Sequence, residues 1–309
     1  MSWHSVAEVT LAHVAEATLT RANGMFSGSR LQERLEPVTG LEPEILQSPI
    51  LGLSWLDLVA ASGLVLLAVG LSRWQRLGLT GSLIVGAIRS VVQLALVGYV
   101  LIYIFAIDQW WLVLGALVVM LAVASREAVR RQDERPLRLY GMTWLALLVG
   151  SGFTLFYVSL VVVRIEPWYN PRYLIPLFGM IVGNAMNAAA LAHERLAAEL
   201  RSRRGEVEAY LALGATAARA SRGPTRSALR AALIPTVNSL MVVGLVALPG
   251  MMTGQILAGV SPLLAIRYQI VVMFMLASAV SVSAVIVVLW NRRLFFTPDE
   301  QLRLGSGPV

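Results

Sequence analysis

The sequence predicts an all-α polytopic membrane protein with about seven transmembrane helices and a cytoplasmic helix–turn–helix loop between helices five and six. Three observations carry that prediction. Of 309 residues, 57% are hydrophobic and only 14% charged, against about a quarter charged in an average soluble domain. Long windows run with few or no charges, and the arginines gather in alternate connections between them.

A helix needs about 20 mainly apolar residues to cross the hydrocarbon core. Seven windows meet or approach that length: 50–72, 79–107, 109–125, 139–163, 173–192, 231–258 and 266–291. The sixth belongs to a charge-free run from Ala231 to Ile266, about 54 Å long as a helix and therefore too long for one span. It is too short for two spans and a turn. Within it, Leu248-Pro249-Gly250 removes a backbone donor and adds a flexible residue. One span followed by a broken or re-entrant segment is expected, hinged at Pro249 and Gly250.

All 25 basic residues are arginine. One set of connections (73–76, 126–138, 195–230 and 292–303) holds 18 of them and the other set six, with Arg89 inside a span. Basic loops stay in the cytoplasm, so the C-terminal tail 295–309 is expected inside and residues 1–48 outside. The outer tail is acidic and lacks the basic start and compact apolar stretch of a signal peptide. Pro37, Pro43 and Pro49 suggest a poorly ordered connection, preceded by a weak surface helix through Val6, Val9, Leu11 and Val14. Residues 49–294 then form the membrane domain. The absence of lysine excludes a Walker A loop and a lysine Schiff base, and the absence of cysteine excludes thiolate chemistry. His4, His13 and His193 are too scattered for a zinc motif.

The longest internal loop, 194–230, reads as a short helix, a turn and a second helix. Ala, Leu and Glu favour the first helix, Gly214 suits the left-handed residue that ends it, and Thr216 is a candidate cap for the second. Gly223-Pro224 is expected to break the path before Thr225 caps a third helix.

Glu208-Ala209-Tyr210-Leu211-Ala212-Leu213-Gly214 resembles the Glu-Ala-Ala-x-x-x-Gly signature of ABC-transporter permeases, with Tyr210 replacing the second alanine. Further stretches extend the likeness: Gly179-Met-Ile-Val-Gly-Asn-Ala-Met186, Leu211-Ala-Leu-Gly-Ala-Thr216, Arg230-Ala-Ala-Leu-Ile-Pro-Thr236 and Gly244-Leu-Val-Ala-Leu-Pro-Gly-Met-Met-Thr-Gly254. Together, over about 55–294, they are similar to the FetB family, permeases linked to bacterial iron export and plant aluminium tolerance. The resemblance implies an inner-membrane permease that exports a metal ion. It also implies two copies of the chain and a separate cytoplasmic ATPase that holds ATP and Mg, so this chain is not itself an enzyme and binds no cofactor. Glu208, Ala209, Leu213, Gly214 and Ala215 would meet that ATPase. Lipids are the remaining expected partner, and nucleic acid is not one.

Polar residues within the spans are candidates for the substrate path, because such residues normally face a partner or water. Arg89 and Gln93 share one face of span two by their i, i+4 spacing; the alternative is a buried hydrogen bond between helices. Asn184 and Asn187 lie in span five beside Gly179 and Gly183, whose spacing suggests close helix packing. Span six carries Asn238, and Met251 and Met252 follow the Pro249 break. Where related permeases often have aspartate and, three positions on, a basic residue, this chain has Asn238 and Met241. An amide or thioether meets a metal without neutralising it. Asp57 is either a cation attractor or hydrated at the interface, and Ser278, Ser281 and Ser283 suggest close helix contact, including contact between two copies.

A second reading is a secondary transporter or channel driven by an ion gradient, but the spans show no carboxylate relay beyond peripheral Asp57. A membrane-embedded enzyme lacks paired acids, a ligand cluster or a serine–histidine arrangement. A scaffold that merely recruits an ATPase would not need polar residues in three spans.

Overall fold

The computed structural model describes residues 54–130 and 137–304; the expected N-terminal tail and its surface helix lie outside them. Among the described residues the chain is helical, with only two isolated β-bridges. Helix α1 is Trp55–Trp74, α2 Thr80–Ile107 and α3 Trp110–Arg130. Helix α4 runs without a break through Leu137–Leu147, a π-helical turn Leu148–Gly152, Phe153–Tyr157 and a second π-helical turn Val158–Val162. Then come α5 Pro171–Ser202, α6 Arg204–Ala212, α7 Ala217–Ala220, α8 Arg222–Val242, α9 Gly250–Leu257, α10 Pro262–Asn291 and a 3-10 turn Arg292–Phe295.

The starts of the long helices follow from local chemistry. Ser54 and Asp57 form a reciprocal capping box, the Asp57 carboxylate accepting from Ser54 N at 2.8 Å, which accounts for Asp57 without a transported cation. Asn170-Pro171 and Ser261-Pro262 open α5 and α10 by the same device, a side-chain cap followed by proline at the first helical position.

Among the described residues six helical stretches are long and apolar enough to cross a membrane: Leu56–Trp74, Thr80–Ile107, Trp110–Arg130, Arg138–Val162, Pro171–Ser202 and Pro262–Phe295. The other expected span is discontinuous. Arg222, Arg226 and Arg230 occupy the first half of α8, and the apolar remainder, 231–242, rises only about 18 Å. The break also falls earlier than Pro249 and Gly250. Gly244 takes the left-handed φ of +84° and donates to the Ala247 carbonyl at 2.9 Å, while Pro249 merely caps α9.

Two cores organise the body. The first joins α3, α4, α5 and α10 through Val113, Leu121, Leu147, Ile181, Met275 and their neighbours. The second lies at one end, where the distal halves of α5 and α10 meet α6, α7 and α8 around Leu196, Leu200, Val207, Ala228 and Val288. Helices α1 and α2 pack mainly on each other, and buried Ile104 ties α2 to the first core. Small residues set the closest approach, and only some are those expected: Ser283 is in contact and a Cβ on Gly179 would lie 3.1 Å from Met120 Cε. A Cβ on Gly183 would meet nothing within 4 Å, whereas one on Gly150, in the first π-helical turn, would collide with Ser283 Oγ and lie 3.2 Å from Ala279 O. Ser283 is thus spent on α4 within one chain; Ser278 is exposed.

Gly150→Ala is expected to lower stability by about 1–3 kcal/mol through overpacking, read as earlier thermal unfolding in detergent. Adding Ser283→Gly should restore part of the loss, because the two sites share one contact.

Candidate functional site

The end of the molecule that carries the second core presents a rigid turn. Helix α6 buries Val207 and leaves Tyr210 and Leu213 exposed, Leu213 at 85%. Its end is a Schellman motif: Ala215 N donates to Tyr210 O at 3.0 Å and Gly214 N to Leu211 O at 2.9 Å, with Gly214 at φ +79°. Glu208 accepts from Arg204 at 2.7 Å along α6, and Ala209 and Ala215 lie on either side of the exposed tip. The helix–turn–helix expected from the sequence is present.

Its caps are not the expected ones. Thr216 stands at the N-cap of α7 but makes no side-chain cap; the Glu300 carboxylate, 83 residues away, accepts from Ala217 N instead. Thr225 is buried inside α8, and Gly223-Pro224 lies in that helix's first turn, where proline's missing donor costs nothing. Glu300 arrives on a hook that the sequence did not signal, because its pattern is neither apolar nor periodic. The bridge between Phe296 and Leu302 closes the hook, and Phe295, Phe296, Leu302 and Leu304 pack on the second core. Where α10 gives way to the hook, Asn291 Nδ2 and His193 Nδ1 lie 2.9 Å apart, and the His193 ring is 5.6 Å from that of Phe295. The last span is therefore joined to the α6–α7 turn through the tail.

The span candidates are distributed rather than gathered. Arg89 of α2 pairs with Glu127 of α3 at 3.7 Å, and Arg130 is 3.9 Å from the same carboxylate. Glu127 was invisible as a partner because it lies past the apolar window 109–125, in the part of α3 that continues the same helix. Gln93 is exposed on α2. Asn184 and Asn187 are exposed on α5, where Asn184 donates back to Met180 O at 2.8 Å. Asn238 is exposed on α8, and Met251 and Met252 are half-buried on α9, Met251 against the first core. Among the described residues no hydrogen bond or ion pair links these side chains to one another, and no group of three or more His, Cys, Asp or Glu is placed to hold a metal.

Residues 55–296 match the family described as "Uncharacterised protein family (UPF0014)". The chain belongs to that family. This UPF0014 member is 43% identical to the UPF0014 membrane protein slr1647 of Synechocystis sp., over 83% of this chain and 99% of the relative. It is 37% identical to the "Probable iron export permease protein FetB" of Escherichia coli, over 80% and 93% of the two chains, and 40% identical to "Protein ALUMINUM SENSITIVE 3" of Arabidopsis thaliana, over 79% and 88%. No solved structure matches. The matched span of this UPF0014 member contains the turn, the discontinuous span and α10, and stops within the tail at Phe296.

Two measurements test the geometry. Glu300→Ala should accelerate amide exchange of Ala217–Ala220 while leaving α5 protected, with a lost cap worth about 1 kcal/mol. Arg89→Gln and Glu127→Gln should each destabilise more than half as much as the double variant does, since either single change strands a partner.

Proposed function

We propose that this chain is the permease subunit of an ABC transporter that exports an iron-like metal ion, driven by ATP and Mg held on a separate cytoplasmic ATPase. The observation that carries this reading is the α6–α7 turn: an exposed apolar tip, stiffened by a Schellman motif and tied through one core to α5, α8 and α10. A tip that only terminated a loop would not need Leu213 and Tyr210 exposed on a braced element. Similarity to the Escherichia coli protein named for iron export supports the cargo class.

Two chains would pair with two ATPases in a bacterial inner membrane, with the C-terminus in the cytoplasm. The arginines of 195–230 and the hook share one end of the bundle with the turn, in keeping with that orientation. Closure of the ATPase dimer would push the turn and, through α5 and α8, move the discontinuous segment around Gly244. Arg89, Gln93, Asn184, Asn187, Asn238, Met251 and Met252 are the residues proposed for the path; all but the half-buried Met251 and Met252 are exposed in one chain, and a second chain would bring them together. Asn238 and Met241 leave that path without the local charges described for related permeases, so cargo charge would be balanced elsewhere.

Gly214→Arg places a bulky residue at a left-handed φ and on the tip. The spans should still insert and purify, while the co-purifying ATPase and its vanadate-sensitive hydrolysis are lost. Wild-type assembly and coupling in that variant would overturn the assignment of the turn. A chain that purifies alone and still moves an ion in liposomes would establish the gradient-driven alternative.

A further inference from the structure

We propose that the groove between α6, α7 and the start of α8 is a binding site for a phosphate group. The groove has a volume of about 700 Å³, within the range of small-molecule sites. Arg219, Arg222 and Arg226 line it together with Glu206, and none of these four forms an ion pair among the described residues. Neighbouring arginines are already satisfied: Arg203 reaches Glu199 at 3.0 Å and Arg204 reaches Glu208 at 2.7 Å. Retention of positive charge in the cytoplasm explains a basic loop, but not the convergence of three unpaired guanidinium groups on one concavity.

A second observation points to a ligand. Thr225 lines the same groove, is only 8% exposed, and its hydroxyl, closed off from solvent in the groove wall, has no hydrogen-bond partner, so a phosphate would reach it by a small opening of that wall. Such a group normally finds a partner. The N-terminus of α8 is also left without a side-chain cap, because Ser221 donates its hydroxyl to Ala217 O at 2.6 Å; the positive end of a 21-residue helix therefore adds to the arginines. Planar guanidinium groups bind tetrahedral oxyanions in paired fashion, and several of them offer more donors than one carboxylate accepts. The groove is larger than phosphate alone, leaving room for the organic part of a phosphorylated solute or for a phospholipid headgroup. Tyr210, on the tip proposed to meet the ATPase, also lines the groove, so the inference requires only that the groove be open in the chain without its ATPase.

The full-length chain would be placed in phosphatidylcholine nanodiscs with and without phosphatidylglycerol. Inorganic pyrophosphate is titrated into the neutral discs, and retained phosphatidylglycerol is counted by native mass spectrometry. Saturable pyrophosphate binding assigns the site to a soluble phosphate compound, and retention of phosphatidylglycerol alone assigns it to a headgroup; either supports the proposal. Arg222→Gln with Arg226→Gln should weaken the response about tenfold or more. Thr225→Val, which changes no charge, should weaken it several-fold, and Arg195→Gln outside the groove should leave it unchanged. Absence of both responses in the wild type, or equal weakening by Arg195→Gln, would overturn it.

Discussion

Everything else in the structure depends on the seam between α5 and α10. Lipid tails are as apolar as leucine, so helices in a bilayer gain little from burial and must associate by close packing. The buried stripe of α5 is rich in alanine (Ala185, Ala188, Ala189 and Ala192), and α10 answers with Ala279, Val280, Ala284 and Val287. Short side chains on both helices let long stretches of backbone run in contact. Because both helices continue beyond the apolar layer, one seam belongs to both cores.

That continuity turns local contacts at the arginine-rich end into constraints on the spans. Val207 seats α6 on the extension of α5, Ala228 and Ala232 seat α8 on the same core, and the hook brings Glu300 from beyond α10 to the first amide of α7. A rigid turn attached to two long helices transmits displacement as a lever, while a flexible loop would absorb it. The weak point lies elsewhere, at 243–249, where the helix opens and only a short turn connects α8 to α9. Irregular backbone at membrane depth is tolerated where protein or a cavity covers its freed groups.

The α1–α2 hairpin makes the opposite choice. Its surface is almost wholly exposed and apolar, and the described body holds it by Ile104, with Leu101 and Phe105 beside it, and by the Arg89–Glu127 pair. An ion pair near an apolar layer strengthens as water is excluded, yet each charge becomes costly if the other is removed. It therefore orients the hairpin more than it stabilises it.

Hydrophobic windows, alternating arginine loops and the glycine of the α6–α7 turn were all legible in the amino-acid order, because each is a local pattern: length against bilayer thickness, charge against topology, φ against side chain. Asn184, Asn187 and Gln93 could likewise be named as unusual from their positions alone. What remained hidden depends on residues far apart in the chain. Glu300 caps α7 across 83 residues, Gly150 rather than Gly183 is the glycine that a neighbouring helix needs, and Glu127 answers Arg89 from a different helix. The amino-acid order alone determined that this chain is a bundle of membrane helices with a structured loop at one end. Only the tertiary fold decided which polar groups meet, since a cap, a close approach or an ion pair depends on distance in space and leaves no period in the sequence.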